Sequence, residues 1–146
     1  MIHVAAEATG PMTAVASCEV IAGAGVSGDR YARGAGTFSK TVEDFELTLI
    51  EAEALEAVAA LGFVLAPGES RRNVTTRGFS LNEMVGREFT IGPVRCRGTR
   101  LCQPCSHLET LLRRPGLCKA MADRAGLRVA IIRGGTISVG DSIEAA

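Results

Sequence analysis

EFTIGPVRCRGTRLCQPCSHLE, residues 88–109, holds the signals from which the fold is read. Glu88 to Gly92 favours a strand, Gly92-Pro93 is a turn, and Val94 to Leu101 is a second strand interrupted by Gly98. Pro104 is tolerated in a first helical turn, and residues 105–112, CSHLETLL, then predict a short helix with Leu108, Leu111 and Leu112 turned inward. Two strands in close succession followed by a short helix do not make a strand–helix–strand crossover. The pattern points to a mainly β protein with helical insertions.

The same residues carry the chemistry. They contain Cys96, Cys102 and Cys105, with His107 and the arginines Arg95, Arg97 and Arg100. A thiol among positive charges is biased toward thiolate, the form that attacks electrophiles, carries sulfur or binds a soft metal. Arginines beside it suit a phosphate-bearing ligand. Four readings stay open. Cys96, Cys102, Cys105, His107 and Cys118 supply enough donors for zinc, although a second Cys-x-x-Cys pair is missing. Cys102-Gln-Pro-Cys105 has the spacing of a dithiol–disulfide couple, without the aromatic residue usual before it. Cys105, at a predicted helix start, could be a single functional thiol. Finally, any of these cysteines could be a small buried apolar group.

Outward from this stretch, residues 13–21, TAVASCEVI, predict a strand that buries Cys18. Gly23 to Tyr31 is a glycine-rich loop ending in Gly28-Asp29-Arg30; no helical pattern follows it directly, so a dinucleotide fingerprint is rejected. Asp29 and Arg30 form either a surface turn with a local ion pair or a pocket wall. Residues 34–44 read as a mobile loop. Residues 45–50, FELTLI, form a strand running into an amphipathic helix that stops at Gly62, and Pro67-Gly68 is a turn. Residues 71–77 are extended, with Arg71, Asn73 and Arg77 placed on one face by alternation; they read as an oxyanion site or as a charged edge strand. Ser80-x-x-Glu83 has capping-box spacing. A short helix ends at Gly126 and buries Cys118. Leu127 to Ile132 is a strand, and Gly134-Gly135 turns it back into a partner over 136–143. The whole predicts one domain over residues 1–146, a mixed or antiparallel β-barrel with short helices.

Composition narrows the function. Apolar residues make up 47% and charged residues 22%, the balance of a soluble globular chain. Sixteen basic residues offset sixteen acidic ones, which argues against nucleic acid or anionic membrane as a partner. No apolar run is long enough to span a bilayer, and no secretory signal is visible. Five cysteines cannot all pair, so reduced thiols in a cytoplasmic setting are expected. No Ser-His-Asp order or paired carboxylates support a hydrolase.

Several pieces, taken in order, resemble the MOSC domain family, named after the C-terminal domain of molybdenum-cofactor sulfurase. They are Gly28-Asp29-Arg30, residues 47–56 (LTLIEAEALE), residues 71–78 (RRNVTTRG), residues 85–92 (VGREFTIG), residues 100–105 (RLCQPC), and the closing Gly135-x-Ile137-x-Val139-Gly140-Asp141. The chain looks like the small stand-alone bacterial members. The resemblance implies a strand-rich barrel and a required cysteine after proline, here Cys105, as molybdenum ligand or persulfide carrier. It implies molybdenum cofactor (molybdopterin) as ligand, with Arg71 and Asn73 matching the segment that holds the pterin and its phosphate; a family-level association with pyridoxal phosphate accompanies it. Gly28, Asp29, Arg30, Thr75, Arg77, Arg100 and Cys102 complete the expected site, with Asp29 steadying an arginine and Cys102 a second thiol. A molybdenum-dependent reduction or a sulfur transfer follows as the activity. The alternatives are a non-catalytic module delivering sulfur or cofactor to a cysteine desulfurase or molybdoenzyme partner, and a structural zinc protein. The second β-barrel region and ferredoxin-like extension of larger relatives are not seen, so reductase activity is less expected than cofactor binding.

Overall fold

The computed structural model describes residues 1–37, 46–104 and 106–146. Phe45, most of the loop expected at 34–44, and Cys105 lie outside them. Eleven strands and three short helices follow in chain order: β1 (Ile2–Val4), β2 (Thr13–Val15), β3 (Ser17–Ile21), β4 (Gly25–Val26), β5 (Leu47–Glu51), α1 (Ala52–Ala60), β6 (Val74–Thr76), a 3-10 turn (Leu81–Met84), β7 (Glu88–Ile91), β8 (Val94–Leu101), α2 (Ser106–Leu112), α3 (Leu117–Ala120), β9 (Leu127–Arg133), β10 (Gly135–Ser138) and β11 (Ile143–Ala145). The fold is mainly β, with mixed pairing: β5 runs parallel to β6 and antiparallel to β9.

Eight strands form one sheet in the order β11-β7-β8-β9-β5-β6-β1-β2, and β10-β3-β4 form a second. Val20, Val26 and Ile137 of the small sheet pack with Leu47, Leu49, Phe89, Leu127 and Val129 of the large one, so the main core lies between the two sheets. On the other face Ile50 joins Val58, Leu108, Leu117 and Met121, and the helices cover that end of the sheet. Central β5 is therefore buried on both faces. Its run Leu47, Thr48, Leu49 and Ile50 is buried throughout instead of alternating.

The expected closed barrel is corrected. Among the described residues the large sheet ends in β2 and β11, and β3 and β10 pair with each other in the separate sheet. The same switch overturns the hairpin at Gly134-Gly135. β10 pairs with β3, Ile137 opposite Cys18, and not with β9. Gly134 allows this crossing because its α-carbon packs against the β3 backbone; an added Cβ would sit 2.5 Å from the Val20 carbonyl oxygen. The single strand expected at 13–21 is two, divided at Ala16. Only Val74–Thr76 of the extended 71–77 segment is strand, because Arg71 lies in the left-handed region at φ 62°. Ser80 makes no side-chain cap; the Leu81 amide donates instead to Glu51 Oε1 at 2.7 Å. β8 continues through Gly98, and the interruption expected there is a register shift in its pairing with β9 between Gly98 and Arg100. Gly98 admits the 3-10 turn, since a Cβ there would lie 2.1 Å from the Met84 carbonyl oxygen. Cys18 and Cys118 are half-buried, not buried.

Candidate anion-binding site

Register places a polar row on the helix-facing side of the large sheet. Leu127 and Val129 of β9 enter the main core, so Arg128 between them projects from the opposite face. Arg128 stands opposite Arg100 of β8 and opposite Thr48 of β5. These three residues line a cavity of about 180 Å³ together with Arg30-Tyr31, Arg71-Arg72 and residues of the 103–108 segment. Five arginines line it, and no carboxylate does so among the described residues.

A hidden carboxylate holds one of these arginines. Asp29 and Arg30 are both buried, and Asp29 Oδ1 accepts from Arg30 Nη1 at 3.2 Å, from the Ala5 amide at 3.1 Å and from Asn73 Nδ2 at 3.3 Å. Its Oδ2 accepts from the Tyr31 amide at 3.2 Å. Arg30 also donates to Met12 Sδ at 3.5 Å and lies 4.8 Å from the Tyr31 ring centroid. The ion pair of Gly28-Asp29-Arg30 is thus present, but beneath the cavity wall and not at a surface turn.

Arg71 and Arg128 are fixed differently. Arg71 donates from Nη1 to the Gly10 carbonyl at 2.7 Å, while its Nη2 is buried without a hydrogen-bond partner among the described residues. Burial first, and the Arg30 charge second, lower its guanidinium pKa. Arg128 Nε is likewise buried and unpartnered. A buried donor left unsatisfied is costly, so two of them in one cation-lined cavity mark a place suited to an acceptor. Arg72, by contrast, spends its Nε on the Ala125 carbonyl at 2.8 Å.

The structure brings together Arg30, Arg71 and Arg100 of the expected site, with Asp29 behind them and Gly28 at the preceding turn. Of the other described residues of the expected site it brings in none. Asn73 is buried in the scaffold: its Oδ1 accepts from the Thr48 amide and hydroxyl, and its Nδ2 donates to the His3 carbonyl and Asp29. Thr75 and Arg77 line a different cavity, beside Met1 and Ile143. Arg77 is exposed and pairs with Glu53 and Glu56 of α1, so the shared face inferred by alternation does not exist. Cys102 is 3% exposed and sits in the helix-side apolar cluster with Leu108 and Met121.

Cys105 is outside the described residues, yet the chain on either side of it, Gln103-Pro104 and His107-Leu108, lines the cavity. Burial, with a smaller contribution from Glu46, pushes the Cys96 thiol up to about 12; burial and Asp29 push Cys18 to about 11. Cys96 belongs to the core between the sheets and Cys102 to the core beneath the helices. Among the described residues no three His, Cys, Asp or Glu side chains form a group able to hold a metal. Of the expected zinc donors, Cys96 and Cys102 lie in different cores, and Cys105 lies outside the described residues. No helix among the described residues is long and apolar enough to cross a membrane.

Sequence reasoning missed Thr48, Arg72 and Arg128 as lining residues. For Arg128 the only available signal was a cation inside the otherwise apolar β9 run LRVAII.

A two-sheet protein with helices over one face and an arginine-lined cavity between them is the class these observations define. The MOSC domain family model matches residues 27–144, and the chain belongs to that family. Among solved structures, the YuaD protein from Bacillus subtilis superposes with a TM-score of 0.82 at 16% identity, over 99% of this chain and 92% of that one. YiiM from Escherichia coli gives 0.68 at 16% identity, over 100% and 70%. YiiM from Geobacillus stearothermophilus gives 0.63 at 21% identity, over 71% and 55%. These likenesses extend to the fold. No curated protein matches the chain by sequence.

Proposed function

We propose that the cavity binds molybdenum cofactor or a related anionic, sulfur-containing species, and that Cys105 is the thiolate that ligates the metal or carries a persulfide. The observation supporting this most is the pair of buried, unpartnered donors, Arg71 Nη2 and Arg128 Nε, in a cavity lined by five arginines and no carboxylate among the described residues. That donor set fits the phosphate end of the cofactor; it would repel a cation.

Arg30, Arg71 and Arg100 would hold the anionic group, and Asp29 would keep Arg30 aimed by occupying its other side. Tyr31, Pro104 and Leu108 would exclude water from the less polar part of the ligand. A bound molybdenum centre would supply two-electron chemistry. The exposed rim residues Thr37 and Gln103 favour a second use of the same site, in which the cofactor or sulfur is handed to a partner such as a cysteine desulfurase or molybdoenzyme.

Metal analysis and pterin extraction on protein from a cofactor-competent host test the reading. Cys105→Ser is expected to lose molybdenum or persulfide while retaining its circular dichroism spectrum and melting temperature. Arg71→Ala should weaken cofactor retention by about 1.5–3 kcal/mol, the scale of a charge-assisted hydrogen bond. Arg77→Ala should leave it unchanged. Wild-type protein free of both molybdenum and pterin, together with no persulfide on Cys105, would sink the proposal.

A further inference from the structure

The four methionines of the chain sit in different settings. Met84 and Met121 are buried, one in the core between the sheets and the other beneath the helices. Met1 is exposed. Met12 is half-buried, and with Pro11, Pro67, Leu111 and Leu112 it lines a wide surface cleft of about 320 Å³. Its Sδ accepts from Arg30 Nη1 at 3.5 Å. The same Nη1 donates to Asp29 Oδ1 at 3.2 Å, so sulfur and carboxylate share one nitrogen of a buried cation. Asp29 in turn accepts from the amides of Ala5 and Tyr31. Arg30 also lines the arginine cavity, so the contact with Met12 joins the open cleft to that cavity's wall.

We propose that Met12 is an oxidation site through which a peroxide resets the Asp29–Arg30 pair. The sulfur lone pair attacks one peroxide oxygen and the O–O bond breaks. The departing hydroxide takes the proton left on the transferred oxygen and becomes water. Thioether and hydrogen peroxide thus give sulfoxide and water, the sulfur losing two electrons and the peroxide gaining them. A thioether is a weak acceptor, whereas the sulfoxide oxygen carries substantial negative charge. Methionine's rotatable bonds let that oxygen turn toward the buried guanidinium, where a charge-assisted hydrogen bond outweighs the contact with sulfur. A 3.5 Å contact has no room for an oxygen between nitrogen and sulfur, so Nη1 must shift to donate to it. The shift draws Nη1 from Asp29 and loosens the two amides that Asp29 accepts. Arg30 moves in this way whatever the cavity holds, and methionine sulfoxide reductases reverse the change.

Hydrogen peroxide is the probe, applied to the full chain, with oxidation followed by mass spectrometry and amide exchange by nuclear magnetic resonance. Met12 should oxidise at least about tenfold faster than Met84 and Met121, which are shielded by their cores. Once Met12 is fully oxidised, exchange at Ala5 and Tyr31 should rise at least about fivefold. Reductases with their reductant should restore the starting rates, and the reductant alone should not. Met12→Leu keeps the bulk without the sulfur. Peroxide should leave its exchange at Ala5 and Tyr31 unchanged, although Met1 and the cysteines remain in it.

Oxidation of Met12 no faster than that of Met84 and Met121 overturns the assignment. So does a fully oxidised Met12 with exchange at Ala5 and Tyr31 unaltered, or the same rise in peroxide-treated Met12→Leu. Should the Leu variant fail to fold, the reductase step decides. Exchange that returns only with the reductases supports Met12 as the switch, and exchange that stays high, or returns with the reductant alone, overturns it.

Discussion

Cys96 illustrates how one buried side chain sets a pH limit. Its folded thiol is pushed up to about 12 from an ordinary 9.0, mainly by burial. Above the ordinary value the unfolded chain gives up this proton and the folded chain keeps it, so the unfolded state binds fewer protons. Stability from this group is complete below about pH 9 and falls as pH rises toward about 12. Urea midpoints measured across that range should decline, and Cys96→Ala should flatten the decline. At the same scale, Cys96 and Cys18 should alkylate far more slowly near neutral pH than Cys105 in the apo protein, as rate-resolved mass spectrometry can show. Asp29→Asn should destabilise the fold by about 3–5 kcal/mol in chemical denaturation, because Arg30 would be left buried without its counter-charge. Motif reading located Arg71 and Asp29, since short polar segments between apolar runs stand out. It misplaced Arg77, because alternation assumes a strand that had not yet begun at Arg71. It passed over Arg128, because burial of one Nε without an acceptor among the described residues has no signature in a string of residues.

Elements were legible where local pattern determines them. α1, the pair β7 and β8, and the strand β9 follow from apolar spacing and turn residues. Partnering was not, because a turn signal such as Gly134-Gly135 says that the chain bends and not which strand it joins. Gly98 is instructive. It lies within β8 where the pairing with β9 slips between Gly98 and Arg100, and it lets the strand approach the 3-10 turn closely. The Gly86 amide donates to the Gly98 carbonyl at 2.8 Å, and the Gly98 amide to the Arg87 carbonyl at 3.0 Å. A methyl group there would meet the Met84 carbonyl carbon at 2.8 Å as well as its oxygen. Gly98→Ala should therefore cost about 1–3 kcal/mol, the usual penalty of overpacking, and should raise hydrogen exchange at Gly86 ahead of the rest of β8. Exchange unchanged at Gly86 would mean that the turn is not strapped to the strand through this glycine.

For the whole molecule, mainly β character was legible in the even spread of strand signals, while the open large sheet and the separate small one depend on contacts that no local pattern encodes. His3 sets the acid side of its stability. It is buried, its Nδ1 has no partner among the described residues, and burial followed by the N-terminal charge lowers its pKa from 6.5. The unfolded chain takes up a proton below about pH 6.5 that the folded chain refuses, so stability is full above that value and falls as pH drops through the lowered one. His3→Gln should flatten this acid limb in a melting-temperature series, and an unaltered limb would place its origin elsewhere. The pairing of β3 with β10 has a consequence for how the protein is made. Val20 meets Gly135 across most of the chain's length, and β1 meets Val74 across half of it. During synthesis the early strands leave the ribosome long before their partners exist, with only β4 and β2 for company. A nascent chain halted ahead of Gly135 would hold Val20 and Val26 without the Ile137 that packs with them. It would remain exposed to chaperones, proteases and its own copies until β10 arrives.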